Sequence, residues 1–205
     1  MEAAKTERSE LTQSAIVDAA LEMAALDGLD SLSIGEVAKK LNLSKSGVFS
    51  RVGSREALQR AVMEEFDRRF QQDVLLPALR EPRGLPRLDA MMKAWLERIC
   101  HAGPRGSCLY VAGAFEFDDR DGPLRELLFE GVQRWRGVLR RSLVQAKDCG
   151  HLRVDVEIEQ LVFELDALFT GLLREARFLR NPEVMARGLA AYERLMSHYR
   201  STAGA

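Results

Sequence analysis

SLSIGEVAKKLNLSKSGVFSRVGSRE, residues 31 to 56, decides the fold. Ser33 with Glu36 three residues on makes a capping box, in which the hydroxyl accepts from the third helical amide and the carboxylate reaches back to the cap. Ile34, Val37, Ala38 and Leu41 then fall on one face at helical spacing. Asn42-Leu43 reads as a turn. Ser44 caps a second short helix, Lys45 to about Val52, with Val48 and Val52 inward. Gly53-Ser54 breaks it, and Ser54 caps a third helix with Glu56 at its positive end. A capped helix, a tight turn and a second short helix form the layout of a helix-turn-helix.

The helical pattern continues in both directions. Upstream, Ile16, Ala20, Met23 and Ala24 share a face, and Gly28 is placed to end that helix. Downstream, Leu58, Val62, Phe66, Phe70 and Val74 recur every four residues until Pro77 ends or kinks the helix. After the loop at 81 to 87 comes a helix with Met91, Trp95 and Ile99, then a break at 102 to 106 and a short apolar segment from Cys108 to Phe117. Pro123 fits the first position of the next helix, which carries Leu124, Leu128, Trp135, Leu139 and Leu143 and stops at Cys149-Gly150. Residues 115–118 and 154–158 alternate like strands, but two strands this short make a marginal sheet. The second reads instead as a loop in which Asp155 caps a helix through Leu161, Leu165, Leu168, Phe169 and Leu172. Asn181-Pro182 caps and starts the last helix. The fold class is therefore all-α: a three-helix helix-turn-helix domain over residues 1–56 and a helical bundle over 57–205.

Composition bounds the function. The 205 residues, 46% hydrophobic and 30% charged, suit one or two globular domains. Three cysteines, at 100, 108 and 149, make no disulfide framework and leave a redox role open. No apolar run suits a membrane span, and the N-terminus has no signal-peptide core, so a cytoplasmic location and no membrane partner are expected. Cys100-His101, Cys108 and Cys149-Gly150-His151 lack zinc-ligand spacing, and the acidic loop Glu116, Asp118, Asp119, Asp121 lacks the calcium pattern and reads as solvated. No catalytic motif is present, so neither an enzyme nor a cofactor or metal is expected.

The net charge of −1 excludes a polycation but not a local basic patch. Residues 1–56 hold seven basic and nine acidic residues, yet Val37 through Arg55 holds Lys39, Lys40, Lys45, Arg51 and Arg55 with no acid. The outward residues of the second short helix are Lys45, Ser46, Gly47, Phe49, Ser50 and Arg51, small, hydroxylated or basic. Such a face fits a DNA major groove about 12 Å wide. It equally fits a solvated face on a helical interaction module, and spacing leaves both open.

Residues 20 to 62 resemble the N-terminal domain of the tetracycline-repressor (TetR) family of transcriptional regulators, through Gly28, Ser33, Ile34-Gly35-Glu36-Val37-Ala38, Leu43-Ser44-Lys45-Ser46-Gly47-Val48-Phe49 and Ser54-Arg55-Glu56-Ala57-Leu58. Residues 116–126 and 150–161 resemble C-terminal segments of some members. The resemblance implies DNA contacts from Ser33, Ser44, Lys45, Ser46, Gly47, Phe49, Ser50, Arg51 and Arg55, with Phe49 where the family usually has tyrosine and Val52 in place of a common aromatic. It implies a regulator, repressing until a small effector releases it from a pseudo-palindromic double-stranded operator. It implies an effector pocket among Met91, Met92, Trp95, Tyr110, Phe115, Trp135, Phe169 and Leu172, with an apolar effector expected. It also implies a homodimer through the last two helices, with Phe163, Leu168, Leu172, Leu189, Tyr192 and Met196 as candidates.

Overall fold

The computed structural model describes residues 2–101 and 103–201, with side chains from Gln13 onward except at 104 and 105. The outer ends of the two expected domains, residue 1 and residues 202–205, lie outside the described residues, as does residue 102 of the expected break. The elements are α1 (Glu2–Asp27), α2 (Ile34–Lys40), α3 (Lys45–Val52), α4 (Arg55–Phe70), α5 (Leu76–Ala78), α6 (Leu85–Cys100), α7 (Leu109–Glu116), α8 (Pro123–Asp148), α9 (Ile158–Arg177) and α10 (Val184–Ser197). The described residues contain no strand; one antiparallel bridge joins Leu152 to Arg200.

Two compact units result, one from the residues up to Arg69 with Leu109–Phe129, the other from Phe70–Cys108 with the chain from Glu130 on. In the first, α1 supplies Ile16, Ala20 and Ala24, α2 Val37 and Ala38, α3 Val48, and α4 Leu58, Val62 and Phe66, all buried. These are the helical-period positions of the sequence, and burying them is what stabilises helices too short to persist alone. The segment Cys108–Phe117 is helical through α7. There Gly113 permits close packing: a Cβ on it would meet Leu128 Cδ2 at 2.7 Å and Leu29 Cδ1 at 3.3 Å. Tyr110 sets its ring edge-on to Phe66, centroids 5.6 Å apart, and its hydroxyl donates to Asp67 Oδ1 at 2.8 Å.

In the second unit α6, α8, α9 and α10 bury a continuous aromatic core. Trp95 stacks on Phe169 (centroids 4.4 Å, planes 12° apart), Trp135 meets Trp95 edge-on at 4.7 Å, Phe70 meets Trp135 at 5.3 Å, and Phe169 meets Tyr192 at 6.4 Å. The Tyr192 hydroxyl donates to Asp89 Oδ1 at 2.6 Å, and burial, reinforced by Asp89, pushes its pKa far above the ordinary tyrosine range. Gly188 lets α10 approach: a Cβ there would meet Leu96 Cδ1 at 2.9 Å.

Several boundaries differ from the expectation. The helical run ends at Ala78, one residue past Pro77. Its ring and missing N–H are absorbed by a π-helical turn over Gln71–Leu75, after which α5 continues. Asp155 does not cap α9. That cap is Glu157, whose carboxylate accepts from the amides of Glu159 and Gln160, while Asp155 is held by Arg153 at 3.0 Å. Asn181-Pro182 does not start α10 either. Glu183 is its cap residue, and Asn181 Oδ1 accepts from the Glu183 amide at 2.9 Å, an Asx turn two residues ahead of the helix. At α9 the sequence held two acceptors near the start, and the later one caps the helix.

Candidate functional site

The α2–α3 pair is built by its serines. Ser33 Oγ accepts from the Glu36 amide at 3.1 Å, and Ser44 Oγ accepts from the Gly47 amide at 3.0 Å. Gly47 is required by that second cap: a Cβ on it would lie 2.9 Å from the Ser44 hydroxyl. Val48 faces inward and is fully buried. Lys45, Ser46, Phe49, Ser50 and Arg51 are exposed, with Phe49 56% exposed, an unusual placement for a large ring. Ser50 Oγ and Arg51 Nη1 donate to the Gly47 carbonyl at 3.0 and 2.7 Å, so Arg51 lies folded against its own helix and still exposed. Lys40 pairs with Glu22 at 3.0 Å. Lys39 and Lys45 make no ion pair among the described residues, and remain available to an anionic partner.

Arg55, expected as a phosphate contact, is exposed and also bonded within its own unit. Its Nε donates to the Leu32 carbonyl at 2.8 Å, and its Nη2 to the Asp30 carbonyl and to Asp30 Oδ1, the latter at 2.7 Å. The guanidinium is committed within the unit, bracing the turn that leads into α2. Arg120 Nη1 donates to the other Asp30 oxygen at 2.7 Å. Arg120 and then Arg55 therefore hold the Asp30 carboxyl below the usual carboxylate range. The same turn is capped from α7: Glu116 accepts from the amides of Leu29 (3.0 Å) and Asp30 (2.8 Å). The buried Gln59 amide donates to the Leu29 carbonyl at 3.0 Å. Glu116 and Arg120 thus position the helix-turn-helix, although their stretch reads as a solvated acidic loop. The one available signal was Gly28, whose φ of +89° opens the turn they clamp.

The expected pocket residues separate. Met91, Met92, Trp95, Phe169 and Leu172 are buried in the core of the second unit, with Trp135 joined to them ring to ring. Trp135 Nε1 is buried with no hydrogen-bond partner among the described residues. Tyr110 and Phe115 do not join this core. They lie on α7, in the first unit, where Tyr110 packs on Phe66 and Phe115 is 70% exposed. A cavity of the second unit, about 530 Å³, lies where the ends of α6 and α9 meet the start of α10, and Arg177 and Arg180 stand in its wall. Three element ends far apart in the chain compose it, so no single periodic stretch announced it.

The expected dimer residues separate as well. Leu172, Tyr192 and Met196 are buried within their own unit and so pack inward rather than toward a partner. Leu168 and Leu189 are half-buried. Phe163 is 58% exposed on α9, and Phe178 and Leu179, which were not singled out, are 81% and 52% exposed at its end.

The sequence profile described as "Bacterial regulatory proteins, tetR family" matches residues 16–62, and that described as "Tetracyclin repressor-like, C-terminal domain" matches residues 84–192. No curated protein matches the chain in sequence. Among solved structures the chain is similar to a TetR transcriptional regulator from Chloroflexus aurantiacus, with a TM-score of 0.81 at 19% identity over 96% of this chain and 100% of that one. It is also similar to a TetR-family transcriptional regulator from Cytophaga hutchinsonii (TM-score 0.78, 19% identity, 94% and 96% covered). A third likeness is AibR in complex with isovaleryl coenzyme A and operator DNA (TM-score 0.63, 18% identity, 79% and 85% covered). At these identities the likeness speaks for the fold.

Proposed function

The chain belongs to the tetR family of bacterial regulatory proteins, and from that premise we propose that it is a cytoplasmic, homodimeric repressor, released from a pseudo-palindromic operator by a small molecule. One observation carries the DNA reading: α3 stands capped at Ser44 with Lys45, Ser46, Phe49, Ser50 and Arg51 all exposed, within a stretch from Val37 to Arg55 that holds no acidic residue. Inserted in a major groove, Ser46 and Ser50 offer hydroxyls to base edges, while Lys45 and Arg51 reach phosphates. Ser33 has its hydroxyl proton available at the start of α2, next to amides that suit a phosphate. Phe49 packs flat against sugar or a thymine methyl. Arg55 braces residues 30–32 and, with its side chain exposed, also reaches a phosphate at the start of α4.

Residues 1–56 are the DNA-contacting part and 57–205 the part that binds effector and partner. A two-fold dimer through α9 and α10 places two α3 helices on half-sites about 34–36 Å apart or a multiple of that. Exposed Phe163, Phe178 and Leu179, with half-buried Leu168 and Leu189, supply apolar area for such an interface. AibR, of the same fold, carries both operator DNA and a small acyl thioester, which supports two ligands on one chain. An effector that favours the dimer state unable to span both half-sites shifts the population off DNA. The test is binding of the purified protein to fragments flanking its own gene, at two salt concentrations, against unrelated competitor DNA. Tight binding that survives the competitor and weakens steeply with salt is expected. Absence of preferred binding there and in a genome-wide selection of bound fragments refutes the reading.

A further inference from the structure

The cavity of the second unit has a one-sided charge. About 530 Å³ is open between the C-terminal ends of α6 and α9 and the first turn of α10, a volume usual for small-molecule sites. Its polar wall includes Arg177, Arg180, His101 and Asn181, and its apolar wall Ile99, Val184 and Met185; among the described residues no carboxylate lines it. The carboxylates close by are engaged elsewhere: Glu175 accepts from Asn181 Nδ2 at 3.1 Å, and Glu183 pairs with Arg187 at 2.5 Å. Arg177 is half-buried and donates to the Gly103 carbonyl at 2.8 Å, and burial pulls its pKa down, the cost of holding a cation away from water. The cap residue of α10, Glu183, makes no side-chain cap bond, and the first residues of that fourteen-residue helix, Val184 and Met185, line the same space.

The backbone adds a second, independent sign. Arg180, three residues past the end of α9, has φ +51°, in the left-handed region where glycine is the ordinary choice and a side chain costs stability. Strain of this kind persists where the surroundings or a function hold it.

We propose that this cavity binds an organic acid: a carboxylate held by Arg177 and Arg180 at the start of α10, with its hydrocarbon body against Ile99, Val184 and Met185. The proposal adds an anionic head to the apolar body expected of the effector, and it rests on the reading of the second unit as the effector-binding part. His101 Nδ1 lies 2.8 Å from the Glu97 carbonyl and donates to it. The ring is thereby oriented and leaves Nε2 as its second polar atom.

The experiment uses the full chain with hexanoate, decanoate and phenylacetate, each compared with the alcohol of the same skeleton. Cys100 lines the cavity and is half-buried, with burial pushing its thiol pKa up, whereas Cys149 is exposed. Maleimide labelling at Cys100, read by peptide mass spectrometry with Cys149 as the internal control, therefore reports ligand in this cavity. At least one acid is expected to protect Cys100, and its alcohol to bind at least tenfold more weakly. Arg180→Gly and Arg177→Met are each expected to weaken the acid about tenfold, the loss of one charged hydrogen bond. Arg180→Gly relieves the left-handed strain, so its Tm stays level or rises, and a binding loss in it cannot come from unfolding. Equal protection by acids and alcohols, no protection by any acid, or undiminished binding by Arg180→Gly overturns the proposal. Operator binding of the unliganded protein is measured alongside. Its failure strikes the regulator reading and leaves the acid titration intact, so the two failures are distinguishable.

Discussion

Replacing Glu116 by alanine tests whether α7 holds the turn ahead of the helix-turn-helix. The carboxylate accepts from the Leu29 and Asp30 amides at 3.0 and 2.8 Å, one partly buried and one exposed. Hydrogen bonds to a charged group are worth about 1.5–3 kcal/mol, and exposure reduces these two to about 1 kcal/mol each. Glu116→Ala should therefore cost about 2 kcal/mol and lower Tm by roughly 4–8 °C for a chain of this size. Glu116→Gln keeps one acceptor oxygen and should cost about half as much. Gly28 gives the argument a sharper edge. Alanine there must adopt φ +89°, for about 1 kcal/mol, and its Cβ would meet Glu116 Oε1 at 2.9 Å, displacing the carboxylate from both amides. Gly28→Ala alone should cost about 3 kcal/mol, but only about 1 kcal/mol in the Glu116→Ala background, because the same two bonds cannot be lost twice. Urea unfolding of the four proteins gives the cycle, and hydrogen exchange at the Leu29 and Asp30 amides reports the clamp directly. Additive costs, or unchanged exchange at those amides in Glu116→Ala, would show that the clamp does not operate.

Other outcomes follow from the same geometry. Lys45→Ala should weaken binding to all DNA about equally and reduce the salt slope by about 1, whereas Ser46→Ala and Ser50→Ala should relax sequence preference; a salt titration against two sequences separates them. Arg55→Ala should lower Tm by removing the brace on Asp30 and Leu32, with exchange rising at the turn before α2, and a salt slope on DNA reduced by about 1 reports its phosphate contact. Arg68, joined by Arg69, holds the Glu65 carboxyl at about 2 against an ordinary 4.5. The folded-state value is the lower one, so this pairing stabilises fully above the ordinary value and is lost as pH falls through about 2. The stability gap between wild type and Glu65→Gln should accordingly be constant at neutral pH, narrow below pH 4.5 and close near pH 2. Gly188→Ala should destabilise by about 1–3 kcal/mol, since its Cβ would press on Leu96 Cδ1 at 2.9 Å and Leu172 Cδ1 at 3.2 Å; a Tm equal to wild type would show that α10 yields.

The sequence by itself determined what is settled within a turn or two of chain. Ser33, Ser44 and Ser54 cap their helices because each hydroxyl reaches an amide three residues on, so α3 runs from Lys45 to Val52 as its local signals require. Gly28 and Gly150 end helices with φ +89° and +71° for the same local reason. The apolar periods identified the buried faces of α4, α6 and α9, and the charge pattern the exposed face of α3. What periodicity cannot say is which surface a buried face meets. Tyr192 and Met196 could equally have faced a partner, and only packing put them in their own core. Arg55 reads only as a phosphate ligand, and the brace it also makes to Asp30 and Leu32, 25 and 23 residues away, is set by the fold. Glu116 reads as solvated until it reaches Leu29, 87 residues distant. The cavity at Arg177 and Arg180 exists only where three helix ends converge. A cap is decided by the few dihedrals between neighbours; a charge–amide clamp and a cavity are decided by which distant segments the whole core makes adjacent, and only the tertiary structure fixes that.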